Sequence, residues 1–251
     1  NDDTEQLLRT LYAGVRVLLV EDNLINREVA SALISGVGMV VDTAENGQVA
    51  VDKIRVNDYA LVLMDVQMPV MDGLEATRQI RMMQGKTELP ILAMTANIFE
   101  DDRRACADAG MDGFVAKPFD PDNLFMQMYN MLSKNITIEE PVNTDDIAEK
   151  GDEENSISDL LSTIKGLNVS MGLRNMNGDI AGYFRLLRQL DTMHGDDMQK
   201  LKTHLAEAEL DDARRIAHTL KGASGTLGCE TLQAAAKALE DFIRTGNAEK
   251  N

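Results

Sequence analysis

The sequence predicts a two-part fold: an α/β doubly wound parallel sheet of five strands, followed by an all-α helical bundle. Two observations carry this prediction. Up to about residue 134, short apolar runs alternate with amphipathic segments, as in a parallel sheet covered by helices on both faces. Beyond Leu160 the strand-like runs stop and only helical spacing remains. In chain order, residues 1–14 carry Leu7, Leu8 and Leu11 at helical spacing and read as a linker or the end of a preceding helix. Strand runs follow at Val15–Val20, Met39–Ala44, Ala60–Met64, Ile91–Met94 and Gly113–Ala116. The unbroken apolar stretch Val17-Leu18-Leu19-Val20 fits a strand buried on both sides. Helical spacing falls at Asn26–Ser35, Gln48–Asn57, Leu74–Met83, Asp101–Ala109 and Pro121–Leu132. Asp72, with Glu75 three residues on, reads as a helix start. These elements make residues 15–134 one domain.

Residues 135–159 differ in kind. They hold nine acidic residues against Lys150 alone, punctuated by Pro141 and Gly151. Such a stretch buries too little apolar surface to offset its ordering entropy, so a flexible acidic linker is expected. Residues 160–251 then form the helical domain. Its helices are expected at Asp179–His194, Asp196–Ala208, Asp211–Leu227 and Glu230–Arg244, with breaks at Gly195 and Gly228.

Bulk properties narrow the function. A formal net charge of -17 over 251 residues argues against nucleic acid or an anionic membrane as partner. No run is long and apolar enough to span a bilayer, and no secretory signal opens the chain. A cytoplasmic location is expected. Because the chain starts at Asn1, a piece of a larger, membrane-bound sensor is a compatible origin. Cys106 and Cys229 match no zinc spacing and read as reduced thiols.

In an open parallel sheet, ligands bind beyond the carboxyl ends of the strands. Glu21 and Asp22 follow the first run, Asp65 closes the third, Thr95 follows the fourth and Lys117 the fifth. Three carboxylates in one crevice repel each other unless a cation neutralises them, and hard oxygen ligands suit Mg²⁺. Asp65 could then attack phosphorus to form an acyl phosphate. Thr95 would hydrogen-bond a phosphoryl oxygen, and Lys117 would set a positive charge against it. Haloacid-dehalogenase-like phosphatases also use a strand-end aspartate with Mg²⁺, but they need an acid two residues on; here Gln67 stands at that position.

Residues 15–134 resemble a response-regulator receiver domain, a flavodoxin-like fold. The likeness rests on Leu18-Leu19-Val20-Glu21-Asp22-Asn23, on Leu63-Met64-Asp65-Val66-Gln67-Met68-Pro69-Val70-Met71-Asp72-Gly73, on Met94-Thr95-Ala96-Asn97 and on Phe114-Val115-Ala116-Lys117-Pro118. The resemblance implies strand order 2-1-3-4-5 and Asp65 as phosphoacceptor. It implies Mg²⁺ held by Glu21, Asp22, Asp65 and the backbone carbonyl of Gln67. It also implies a switch in which Thr95 moves toward the phosphate and the Phe114 ring turns inward.

The helical half carries one comparable cluster. On a helix, Lys221, Gly222 and Gly225 share the face of His218. Each helix-interior glycine costs about 1 kcal/mol relative to Ala, which is reasonable if the face must stay bare for an approaching protein. Lys221 could neutralise a phosphoryl group on the imidazole, while Ile216, Leu220 and Leu227 would face the core. His194 and His204 lack such surroundings and read as ordinary surface or boundary residues. Residues 160–245 resemble a histidine-containing phosphotransfer (HPt) domain through its pattern His-x-x-Lys-Gly at His218–Gly222. That family's bundle has four long helices, and here its closing helix is missing after Glu230–Arg244. Either it was truncated, or another chain supplies it, or the bundle is incomplete.

Together the two resemblances imply a phosphorelay component from the C-terminal part of a hybrid sensor histidine kinase. An upstream kinase's phosphohistidine would load Asp65. His218 would exchange phosphate with Asp65 or with a downstream response-regulator receiver, drawing on that receiver's Mg²⁺. No ATP-binding kinase core is visible. The linker is long enough for the two domains to meet, since flexible chains span roughly 5–6 Å × √n. The alternative is a receiver-switched interaction module whose helical domain docks a partner without net phosphotransfer.

Overall fold

The computed structural model describes residues 2–95, 100–133 and 164–248. The expected acidic linker at 135–159, and Ala96-Asn97 of the fourth motif stretch, lie outside the described residues. Helix α1 (Asp2–Leu11) leads into a βα alternation: β1 (Arg16–Val20), α2 (Leu24–Gly36), β2 (Val40–Ala44), α3 (Gly47–Val56), β3 (Leu61–Asp65), α4 (Gly73–Arg81), β4 (Ile91–Thr95), α5 (Glu100–Ala109), β5 (Gly113–Ala116) and α6 (Pro121–Ser133). The helical part comprises α7 (Val169–Asn175), α8 (Ile180–His194), α9 (Asp197–Ala206), α10 (Leu210–Thr226) and α11 (Glu230–Ala248).

The five strands are parallel in the order β2-β1-β3-β4-β5. Successive residues on a strand point to opposite faces, so each strand feeds two cores. Val17, Leu19, Leu61, Leu63, Leu92 and Met94 pack with α1, α2 and α6. Leu18, Val20, Val62, Met64, Ile91 and Ala93 pack with Ala50 and Ile54 of α3, Ala76 and Ile80 of α4, and Cys106 of α5. Register brings the strand ends together: Val20 lies opposite Met64, Asp65 opposite Met94, and Thr95 opposite Ala116. Residues just past these ends therefore share one crevice, at the point where the chain's strand order reverses beside β1.

The N-terminal segment is more than a linker. Leu8 and Tyr12 are buried to 0% and 2% exposure, and the Tyr12 ring meets Tyr129 of α6 edge-on at 6.3 Å. In the helical part, α10 packs on α11 and α9 around Leu201, Ala213, Leu220, Ala236 and Ile243, with Ile216 at the margin. Leu227, which the sequence places in the bundle core, is fully buried with Tyr183 and Leu186 of α8. Helix α10 ends there, and Tyr183 donates a 2.7 Å hydrogen bond to the Leu227 carbonyl. Helix α7, which the sequence did not announce, is capped by Asn168. Phe242 on α11 is 71% exposed, and no helix beyond α11 covers it among the described residues.

The two parts form a shared contact. Helix α10 lies against α2, and α8 touches the same helix. Ile25, Val29, Ala223 and Leu227 belong to one continuous apolar cluster. Within it Thr226 Oγ1 donates a 2.8 Å hydrogen bond to Asn26 Oδ1, a pair buried to 1% and 3% exposure.

Candidate phosphotransfer site

The carboxylate cluster is held by the backbone around it. Asn23, not Asp22, caps α2: its side chain accepts from the amides of Ile25 and Asn26. Asp22 is thereby left to the crevice. Asp72 caps α4 by accepting from Glu75 N–H at 2.8 Å, as the sequence predicts. Gly73 follows, and its N–H bonds the Val66 carbonyl. A Cβ at Gly73 would stand 2.0 Å from the Asp65 carbonyl oxygen, so only glycine lets α4 start this close to the phosphoacceptor candidate.

Asp65 is 3% exposed. Its Oδ2 pairs with Lys117 Nζ at 2.7 Å, and its Oδ1 accepts from the Gln67 amide at 3.2 Å. Lys117 also pairs with Glu21 Oε2, while Glu21 Oε1 accepts from Asn26 Nδ2 at 3.1 Å. Burial pushes the Asp65 carboxyl up to about 7; the neighbouring Glu21 and Asp22 add to this, and Lys117 opposes it. Burial alone would lower the Lys117 ammonium, yet the charges of Asp65 and Glu21 prevail and raise it. The cluster is thus a crowd of carboxylates stabilised by one buried ammonium. Asp22 is raised by burial and by Glu21; Lys117, its own Asn23 hydrogen bond and His218 act in the opposite direction. The effect of His218 reaches across from the other domain.

Thr95 sits at the end of β4, 8% exposed, where its carbonyl accepts from the Lys117 amide at 2.8 Å. Phe114 is half-buried beneath the Arg103 guanidinium, 4.0 Å from the ring centroid. That cation–π contact is one an inward turn of the ring would have to break.

On α10 the imidazole of His218 is fixed from behind. Its Nδ1 lies 2.8 Å from Oε1 of Glu240 on α11, and Lys221 Nζ lies 2.5 Å from the other carboxylate oxygen. Lys221, expected to offset phosphoryl charge on the imidazole, is thus paired with the same carboxylate that holds the ring. Lys221 is 6% exposed, and a buried ammonium needs a counter-charge, which Glu240 supplies. Burial would raise the Glu240 carboxyl, but its bonds to His218 and Lys221 outweigh that and hold it down at about 2. Sequence reasoning missed Glu240. A signal was present, since Glu240 occupies the buried stripe Ala236–Glu240–Ile243, where a carboxylate needs a partner. His194 and His204 do not join the site; they pair with Asp197 and Glu209.

The bare glycine face is filled by this chain itself. A Cβ at Gly222 would stand 3.1 Å from Asn26 Nδ2. One at Gly225 would collide with Gln233 and come within 3.3 Å of Pro118. Between the domains lies a cavity of about 460 Å³. Asp22, Gln67, Met68 and Asp72 line one wall; Asp211, Arg214, Arg215 and His218 line the other. The imidazole and Asp22 of the carboxylate cluster thus open onto one space.

Comparisons with known proteins assign the two parts of the chain to families. The family described as response regulator receiver domain matches residues 17–129, and that described as Hpt domain matches residues 185–251. The two-component response regulator ORR41 of Oryza sativa subsp. japonica is 52% identical over 114 residues, 44% of this chain and 88% of that protein. Probable histidine kinase 4 of the same organism is 38% identical over 143 residues, 49% of this chain and 14% of that protein. Sensor histidine kinase GacS of Pseudomonas protegens is 29% identical over 237 residues, 93% of this chain and 25% of that protein. This chain therefore spans a minor part of the kinases it matches. Among solved structures, the receiver domain of a Pseudomonas aeruginosa PAO1 sensor histidine kinase, with a magnesium ion in its active-site cleft, is 38% identical. It covers 48% of this chain and 99% of that chain, with a TM-score of 0.46. No helix among the described residues is long and apolar enough to cross a membrane.

Proposed function

Because this chain belongs to the response-regulator receiver family and carries an Hpt domain after its receiver, we propose that Asp65 and His218 are the two carriers of its phosphorelay. The observation that supports this most directly is the shared cavity, with His218 in one wall and Asp22 of the carboxylate cluster in the other. An upstream histidine kinase's phosphohistidine loads Asp65: the donor's N–P bond breaks as a bond forms between phosphorus and an Asp65 carboxylate oxygen. In the next step His218 Nε2 attacks the acyl phosphate, the Asp65 O–P bond breaks, and the carboxylate is regenerated. A neutral imidazole phosphorylated at Nε2 keeps its Nδ1 proton and becomes cationic. Glu240, placed at Nδ1, orients the ring and balances that charge. A downstream receiver aspartate is the acceptor that His218 serves.

The residues fit Mg²⁺. Oxygens of Glu21, Asp22 and Asp65 lie within 4.8 Å of one another, a set of hard ligands suited to that ion. Those three carboxylates and the Gln67 backbone carbonyl would hold it. When bound, Mg²⁺ supplies neutralisation of the cluster and of the phosphoryl oxygens. Lys117 contributes charge at the Asp65 oxygen, and Thr95 a hydroxyl at the strand end. Among the described residues the His218 wall presents no such cluster of its own to the cavity, so transfer there would draw on the receiver's ion.

The test is a labelling series with acetyl phosphate or a cognate kinase. Base-labile label at Asp65 and acid-labile label at His218 are expected in the native chain. Asp65→Ala should remove both; His218→Gln should leave only the base-labile label; EDTA should stop loading of Asp65. Persistence of acid-labile label in Asp65→Ala would refute the relay order, and loading in EDTA would refute the metal assignment.

A further inference from the structure

The contact between the domains has a consequence for an external donor. Asp65 is 3% exposed, and its cluster partner Asp22 lines a cavity whose other wall is α10. A protein phosphohistidine approaching the cluster from this side would project its imidazole into that cavity, whose α10 wall already holds His218. Among the described residues the seam beside it is closely packed. Gly222 lies so close to Asn26 that a single Cβ would be 3.1 Å away, and Thr226 is hydrogen-bonded to Asn26 in a dry setting. We propose that the docked helical domain competes with protein phosphodonors for the α2 face, so that Asp65 is loaded from another protein only when the helical domain swings away.

The proposal rests on the reading of Asp65 and His218 as relay carriers and adds an order to it: undock, load, redock, transfer. The rim is built for reversibility. Arg185 meets Glu28 at 3.2 Å, and Arg174 meets Asp120 and Asp122; the arginine side chains are 67% and 54% exposed. Such exposed pairs hold weakly and are readily exchanged. A small phosphodonor escapes the competition, because a cavity of about 460 Å³ admits it without undocking.

The experiment uses two full-length chains. The donor carries Asp65→Ala and Glu28→Arg and is charged at His218 with phosphoramidate; Glu28→Arg loosens its own docking and leaves its Arg174 and Arg185 for binding in trans. The acceptor carries His218→Gln, with or without Arg174→Glu and Arg185→Glu, which loosen its own docking and leave its α2 face intact. Opening the acceptor should raise the rate of Asp65 labelling by the protein donor about fivefold or more, the scale expected for reversing two surface pairs. Labelling by acetyl phosphate should be the same in both acceptors. An unchanged or slower rate from the protein donor, with acetyl phosphate labelling intact, overturns the competition alone. Failure of acetyl phosphate to label Asp65 in either acceptor overturns the relay reading and the competition with it.

Discussion

Replacing Lys117 by Met should destabilise the receiver by about 3–5 kcal/mol in EDTA, the usual consequence of removing one partner of a buried ion pair. Lys117 is the ammonium that stands between Glu21 and Asp65, and all three side chains are nearly inaccessible to water. Met preserves length and apolar volume, so the loss is mainly one of charge. Glu21 and Asp65 would be left to repel each other in a low-dielectric site, and Asp65 would hold its proton still more tightly than the burial-raised carboxyl already does. Thermal unfolding in EDTA should fall by roughly 10 °C or more. Adding Mg²⁺ should recover part of the loss, because a divalent cation on the same carboxylates replaces the missing charge. An unchanged melting temperature in EDTA would show that the Lys117 pair stabilises nothing. A loss that Mg²⁺ leaves untouched would show that the ion binds elsewhere.

Replacing Glu240 by Ala should slow transfer to His218 by roughly 10²-fold, the lower end of what a positioned acid–base partner contributes. Two effects combine. The imidazole loses the acceptor that keeps the proton on Nδ1 and leaves Nε2 free for phosphorus. Lys221 also loses its counter-charge while remaining buried, which destabilises the helical domain. Glu240→Gln separates the effects: an amide oxygen can still accept from Nδ1–H, so ring orientation is retained while the negative charge is lost. Transfer in Glu240→Gln should fall between that of the native chain and Glu240→Ala, and ¹⁵N spectra should show the His218 tautomer preserved only in the glutamine variant. The pH dependence has a defined sign. The Glu240 carboxyl sits at about 2 in the fold against an ordinary 4.5. Its contribution to stability is present above about pH 4.5 and is lost as pH falls toward 2. Glu240→Gln should remove that slope from the acid unfolding curve. Native-like transfer in Glu240→Ala would rule out the positioning role.

The receiver half was legible because its signals are local. Val17–Val20 and Leu61–Met64 are buried on both faces, so their apolar runs carry no polar interruption, and the candidate site residues follow directly at the strand ends. Asp72 and Gly73 announce a helix start by their own chemistry. The helical half was legible in its periodicity but not in its pairings. Glu240 lies twenty-two residues beyond His218, on another helix, and only the packing of α10 on α11 makes them neighbours. Helical spacing likewise puts Lys221 on the face of His218 but cannot show that it is buried and paired with Glu240 of the next helix. Asn26 and Thr226 are two hundred residues apart, and each alone is an ordinary polar residue on a helix. Spacing reads the glycines at 222 and 225 as a face kept bare for an approaching protein; in the fold Asn26 stands near Gly222, and Gln233 and Pro118 near Gly225.

The central claim is that Asp65 and His218 of one chain exchange phosphate across the cavity that Asp22 and His218 line. The most direct measurement loads Asp65 with acetyl phosphate in Mg²⁺, removes the donor, and follows conversion of base-labile into acid-labile label across a dilution series. The predicted result is a first-order rate constant independent of protein concentration. A rate that falls in proportion to dilution would contradict the claim, because the phosphoryl group would then be passing between chains.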